Sequence, residues 1–87
     1  MKYVIIFQNS AIKELQRLPR NFQRKVILAV NMLKENIRPN NSKKLNAKEP
    51  LYSLRIGNYR VIYHVQKQIK IVMILKVGHR KDVYRML

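Results

Sequence analysis

Apolar and polar positions follow three successive rhythms along this chain. Tyr3 to Phe7 is a short β-branched and aromatic run that predicts a strand, and Gln8-Asn9-Ser10 follows with Ser10 placed to cap a helix. Ala11, Ile12, Leu15 and Leu18 then recur at helical spacing, with Lys13, Glu14, Gln16 and Arg17 between them, until Pro19 interrupts the pattern. A second helix is expected to begin near Asn21 and end near Asn36. Phe22, Val26, Ala29, Val30 and Leu33 form its apolar stripe, Gln23, Arg24 and Lys34 its wet side, and Pro39 disfavours a helical residue before it.

Residues 38–50 carry turn chemistry and repeated charge with almost nothing to bury, which predicts a basic loop. After it the period falls to two. Residues 51–56, 59–66 and 69–77 each predict a strand, separated by Gly57-Asn58 and Lys67-Gln68. The expected fold class is α+β: an N-terminal strand, a two-helix antiparallel hairpin and a three-stranded antiparallel meander, forming one twisted sheet packed on the helices. With no internal repeat, low-complexity segment or linker, residues 1–87 are expected to form a single domain.

The first hairpin can be taken to the level of pairs. A two-residue Gly57-Asn58 turn sets Ile56 against Tyr59, Arg55 against Arg60, Leu54 against Val61 and Tyr52 against Tyr63. The apolar pairs share the face that covers the helices, leaving Arg55 and Arg60 opposite each other on the reverse side, where like charges are unfavourable unless an anion joins them. A tight turn at Lys67-Gln68 would place Met73, Leu75 and Val77 on the Arg60 side. His79 would follow them there, re-aimed by the freedom of Gly78.

Charge narrows the list of partners. The 87 residues include 19 Lys and Arg against Glu14, Glu35, Glu49 and Asp82, a formal net charge of +15. Such a chain attracts polyanions, nucleic acid first, and a strongly acidic protein would satisfy the same field. The absence of cysteine excludes disulfides, thiolate zinc sites and cysteine nucleophiles. Two histidines and four scattered carboxylates show no ligand spacing, so neither a metal nor a cofactor is expected, and His64, inside a strand, reads as structural. Val4-Ile5-Ile6-Phe7 is too short for a signal sequence, and the run from Ile71 to Leu75, held between Lys70 and Lys76, cannot span a bilayer. A cytoplasmic protein without a membrane partner is the expectation.

The order of elements, Ile12-Lys13-Glu14-Leu15 and Leu18-Pro19 in the helices, the run from Leu54 through Tyr59-Arg60-Val61-Ile62-Tyr63, and the terminal Val77-Gly78-His79-Arg80 with Tyr84 together resemble the RelE/ParE superfamily of bacterial and archaeal toxins. The resemblance covers nearly the whole chain and favours the RelE branch. It implies a toxin of a type II toxin-antitoxin system that cleaves messenger RNA in the ribosomal A site and is held inactive by a cognate acidic antitoxin in a hetero-oligomeric complex. Arg60 matches the family arginine of the central strand, Arg80 the arginine after the glycine and Tyr84 the C-terminal tyrosine, while Arg55 falls close to a family lysine. Ser53 replaces another lysine, and His79 stands where some members carry lysine.

Metal-free RNA cleavage needs a base for the ribose 2′-hydroxyl, cations around the phosphorane and an acid for the departing 5′-oxygen. Arg60 and Arg80, with Arg55, supply forked donors for the phosphate. His79 and Tyr84 are the acid-base candidates, with Tyr84 as base and His79 as acid or the reverse. Lys43, Lys44, Lys48, Lys81 and Arg85 are candidate RNA contacts, although a lysine run also reads as a solvated face. Two other functions fit parts of the pattern: a gyrase inhibitor of the ParE type, and a basic RNA-binding protein without catalysis.

Overall fold

The computed structural model describes residues 2–45 and 48–79. In chain order the elements are β1 (Val4–Phe7), α1 (Asn9–Gln16), α2 (Arg20–Met32), β2 (Ser42–Lys44), β3 (Leu51–Ile56), β4 (Tyr59–Gln66) and β5 (Ile71–His79). The strands form a five-stranded mixed sheet in the order β1-β5-β4-β3-β2, in which only β1 and β5 run parallel. Among the described residues, no helix is long and apolar enough to cross a membrane.

The helical stripe read from the sequence is the one that packs. Ala11, Val26, Val30 and Leu33 join Tyr52, Leu54, Val61, Tyr63, Val65, Val72, Ile74 and Val77 in one buried cluster, with Leu15, Leu18, Ala29 and Ile56 partly buried against it. Helix α2 carries more apolar surface than this core uses, for Ile27, Leu28 and Met32 are exposed. The chain between the helices turns at Pro19, whose carbonyl accepts the Phe22 and Gln23 amides. Gln23 Nε2 reaches back to the Leu18 carbonyl at 2.8 Å and ties the start of α2 to the end of α1.

Four local expectations are corrected. Ser10 is not the cap of α1, since the helix begins at Asn9 and Gln8 before it makes no side-chain cap. The sheet sets that boundary: the Gln8 amide still bonds the Ile74 carbonyl at 2.9 Å, while its own carbonyl already accepts the Ile12 amide. Helix α2 ends at Met32, and the next residues tighten into turns closed by Leu33 N–H to Val30 and Lys34 N–H to Asn31. The basic loop contains strand β2, which extends the sheet beside β3 through the pairs Ser42 with Leu54, Lys43 with Ser53 and Lys44 with Tyr52. Its lysines gave no strand pattern because an edge strand with solvated side chains has no buried face to advertise. Finally, residues 67–70 make a four-residue turn with Lys70 at φ 57°, so β5 starts at Ile71 and not at Ile69.

Where the sheet meets the segment after α2, Tyr63 is fully buried and its hydroxyl donates to the Ile37 carbonyl at 2.7 Å. Burial pushes its phenol up to about 12 from the ordinary value of 10.0. The folded state therefore favours the neutral phenol, a contribution that is complete below about pH 10 and lost as pH rises towards about 12. Denaturant midpoints followed from neutral to strongly alkaline pH should consequently fall less steeply for Tyr63→Phe than for the parent. At neutral pH the variant should be less stable by about 1 kcal/mol through loss of the hydrogen bond. Equal slopes for the two proteins would refute this assignment.

Candidate functional site

Side chains alternate across a strand, so the sheet presents one face to the helices and another away from them. On the away face, nearest the Gly57-Asn58 turn, Arg55, Arg60 and Gly78 lie abreast on β3, β4 and β5. The next row is Lys43, Ser53, Ile62 and Lys76, and beyond it come Leu51, His64, Met73 and Ile6. The face thus grades from cationic to apolar along the strands. None of these positions is a carboxylate.

Arg55 is exposed and Arg60 half-buried, with its Nε shielded from solvent. A guanidinium in partly desolvated surroundings interacts more strongly with an anion than one in open water. Gly78 adds no side chain beside Arg60, while Ser53 and Ile62 in the following row are fully buried. The cross-strand arginine pair is thus the register expected from the turn, and the described rows of that face hold cations and no acids.

His79 is not brought to this face. It pairs with Tyr59, whose ring lies 6.0 Å from the imidazole in an edge-on arrangement and 4.6 Å from Phe22 of α2, so it belongs to the helix side. The cause is a β-bulge: Tyr63 pairs with Ile74 but Ile62 pairs with Lys76, leaving Leu75 as the extra residue and exchanging the two faces of β5 beyond it. Met73 stays on the Arg60 side as expected. Val77 instead enters the core opposite Val61, and Lys76 takes the outward place that the even alternation assigned to its neighbours.

The candidate lysines divide similarly. Lys43 shares the face of Arg60, whereas Lys44, paired with the core residue Tyr52, falls on the other side of the edge strand; both are exposed, as is Lys48. Arg80, Lys81, Tyr84 and Arg85 lie outside the described residues. His64 lines a cleft of about 500 Å³ with Pro50, Gln66, Lys67 and Ile69, and none of the candidate site residues among those described lines it.

Two residues that matter to the site were not singled out from the sequence. Lys76 reaches the cationic face only through the bulge, and the available signal was the spacing of Val72, Ile74 and Val77, two residues and then three, where an unbroken strand keeps two. Glu14 of α1 accepts the Val77 amide at 3.0 Å through Oε1, a contact across 63 positions that no local pattern reports.

This architecture is shared with known toxins. Residues 5–84 match the family model described as the ParE toxin of the type II toxin-antitoxin system parDE. The chain is 30% identical over 88 residues to the putative toxin RelE1 of Methanocaldococcus jannaschii, covering 98% of each chain. It is 29% identical over 87 residues to toxin RelG of Mycobacterium tuberculosis, covering 98% of this chain and 99% of that one. The toxin of the archaeal RelE-RelB complex from Pyrococcus horikoshii superposes with a TM-score of 0.83 at 32% identity, over 92% of this chain and 97% of that chain. The strand, helix pair and mixed sheet with these relatives establish that the chain belongs to the RelE/ParE superfamily, as a RelE-type toxin of a type II toxin-antitoxin system.

Proposed function

We propose that this toxin is a ribosome-dependent endoribonuclease that cleaves messenger RNA in the A site of a 70S-type ribosome in the cytoplasm, and that residues 1–87 act as one toxin domain. The observation that carries the reading is the Arg55-Arg60 pair, held directly across β3 and β4 on a face with Lys43 and Lys76 and no carboxylate in its rows. Two like charges opposite each other are unfavourable in the free protein. A phosphate between them removes the repulsion and gains forked, charge-assisted hydrogen bonds.

In the reaction, the 2′-hydroxyl attacks the adjacent phosphorus as its proton is removed, and the 5′-oxygen leaves as it gains one. Arg60, with Arg55 and Arg80, would offset the extra charge on the phosphorane. The proton transfers fall to Tyr84 and His79, the roles implied by the resemblance. Because His79 projects from the side opposite Arg60, it can serve the phosphate only from the end of β5. A small acidic antitoxin is the proposed protein partner, neutralising the +15 charge and covering apolar surface such as that around Met73. The P. horikoshii relative is itself a RelE-RelB complex.

A second reading, inhibition of DNA gyrase, is favoured by one finding, the match to a family model described by its ParE member. Induced expression followed by mapping of transcript 5′ ends separates the two. In-frame cuts on translated messages are expected here, whereas intact transcripts with gyrase inhibition would overturn the ribonuclease reading.

Purified toxin should be nearly inert on naked RNA and active on mRNA positioned by the ribosome, since placement supplies much of the rate when few acid-base groups are present. Products should end in a 2′,3′-cyclic phosphate and a 5′-hydroxyl; mass analysis finding a 5′-phosphate would reject the mechanism. Removing a charge donor from a transition-state site costs roughly 100- to 1000-fold, so Arg60→Ala should nearly abolish single-turnover cleavage and relieve growth arrest. Replacement of Lys44 or Lys48 by alanine removes only distributed phosphate contacts. Such variants should bind the ribosome more weakly, with a shallower loss as salt rises, yet cut at nearly the parental rate once bound. The opposite ranking, lysine variants dead and Arg60→Ala active, would dismiss the Arg60 centre.

A further inference from the structure

The pairing of β1 with β5 stops at Phe7 and Ile74, whereas β5 continues to His79. The last backbone bond from that side is the Gln8 amide to the Ile74 carbonyl at 2.9 Å. Past this point the outer edge of β5 has no neighbouring strand among the described residues, and an edge of that kind leaves amides in need of acceptors and a strand end prone to fraying. This is also the stretch that carries Gly78 beside Arg60 and His79 against Tyr59.

Helix α1 covers the gap. It packs chiefly on β5, and Glu14, half-buried in its last turn, accepts the Val77 N–H at 3.0 Å. A carboxylate accepting from a backbone amide forms a charge-assisted bond, stronger than the amide-to-amide bond a strand would have made. In a chain with only four acidic residues, one of them spends its charge on an amide at the strand edge.

We propose that Glu14 is a positioning residue: its side chain stands in for the missing strand and pins the end of β5, so that Gly78 stays abreast of Arg60, His79 stays on Tyr59, and the backbone leading to Arg80 starts from a fixed point. Its effect on rate rests on the ribonuclease reading, but the anchoring itself does not. Reach matters more than charge, because the amide needs an acceptor oxygen at bonding distance. Glutamine keeps a carbonyl oxygen at the same distance, aspartate keeps the charge but is one methylene shorter, and alanine keeps neither.

The full-length parent, Glu14→Gln, Glu14→Asp and Glu14→Ala should be compared by three measurements: amide exchange at Val77 relative to Val72, the proximity of the Tyr59 and His79 rings by nuclear Overhauser effects, and single-turnover cleavage on programmed ribosomes. In Glu14→Ala and Glu14→Asp, Val77 should exchange about tenfold faster or more while Val72 is unchanged, and the ring contact should weaken. Their cleavage rate should fall roughly 10- to 100-fold with little change in half-saturating concentration, and Glu14→Gln should recover most of the loss. Unchanged exchange at Val77 in the shortened variants overturns the proposal. So does a parental cleavage rate despite fast exchange, or a glutamine variant no better than aspartate. Should alanine prevent folding, aspartate against glutamine decides the question. A parent that fails to cut ribosome-bound mRNA rejects the ribonuclease reading, and exchange and ring proximity then decide the role of Glu14 alone.

Discussion

The geometry of this toxin depends on the register of one hairpin. Gly57 takes φ +59°, a conformation natural to glycine and strained for other residues, and this lets a two-residue turn connect β3 to β4 without splaying them. The nearest atom that a Cβ there would meet is Phe22 Cε1 at 3.9 Å, so glycine is favoured there by torsion and not by crowding. From that turn the pairs follow without a slip as far as Leu51 with His64. The same register stacks Tyr52 on Tyr63, with ring centroids 5.4 Å apart, and sets Arg55 against Arg60. A slip of one residue would drive arginines into the core and tyrosines out of it, so burial of the aromatic face holds the cationic pair in place.

Packing and charge therefore oppose each other across the thickness of one sheet. The helix side is a continuous apolar cluster, while the other side begins with two arginines and continues with Lys43 and Lys76. The ion pair between Lys2 and Glu35, at 3.4 Å, joins two well-exposed side chains and contributes little in water. A chain with a net charge of +15 and such a face attracts negative charge, and polyanionic or acidic partners that bind the folded form stabilise it.

Much of this was legible in the sequence, for physical reasons that differ by element. The β3-β4 pairing was readable to the residue because a Gly-Asn turn admits few geometries and the alternation on both strands agrees with it. The stripe on α2 was readable because Val26, Val30 and Leu33 recur with the helical period. Strand β2 was not, since Ser42-Lys43-Lys44 buries almost nothing and owes its shape to its neighbour. The side of the sheet taken by His79 was missed because one extra residue, Leu75, inverts a strand without altering its composition. The contact between Glu14 and Val77 lay beyond reach for a different reason: it joins an exposed-looking helix position to a backbone amide, and no side-chain pattern records an amide's need.

The placement of β5 has a consequence for how such a protein comes into being. Among the described residues the last strand, β5, lies between β1 and β4, and β1 bonds no strand but β5. A chain halted before Ile71 therefore has helices that bury their stripe on an incomplete sheet and an opening strand with nothing to lie against. Local contacts such as the β3-β4 hairpin form early, but closure of the sheet waits for a pairing that spans most of the sequence. A chain without β5 lacks a complete sheet, and the row of Arg55, Arg60 and Gly78 exists only once β5 has joined β4.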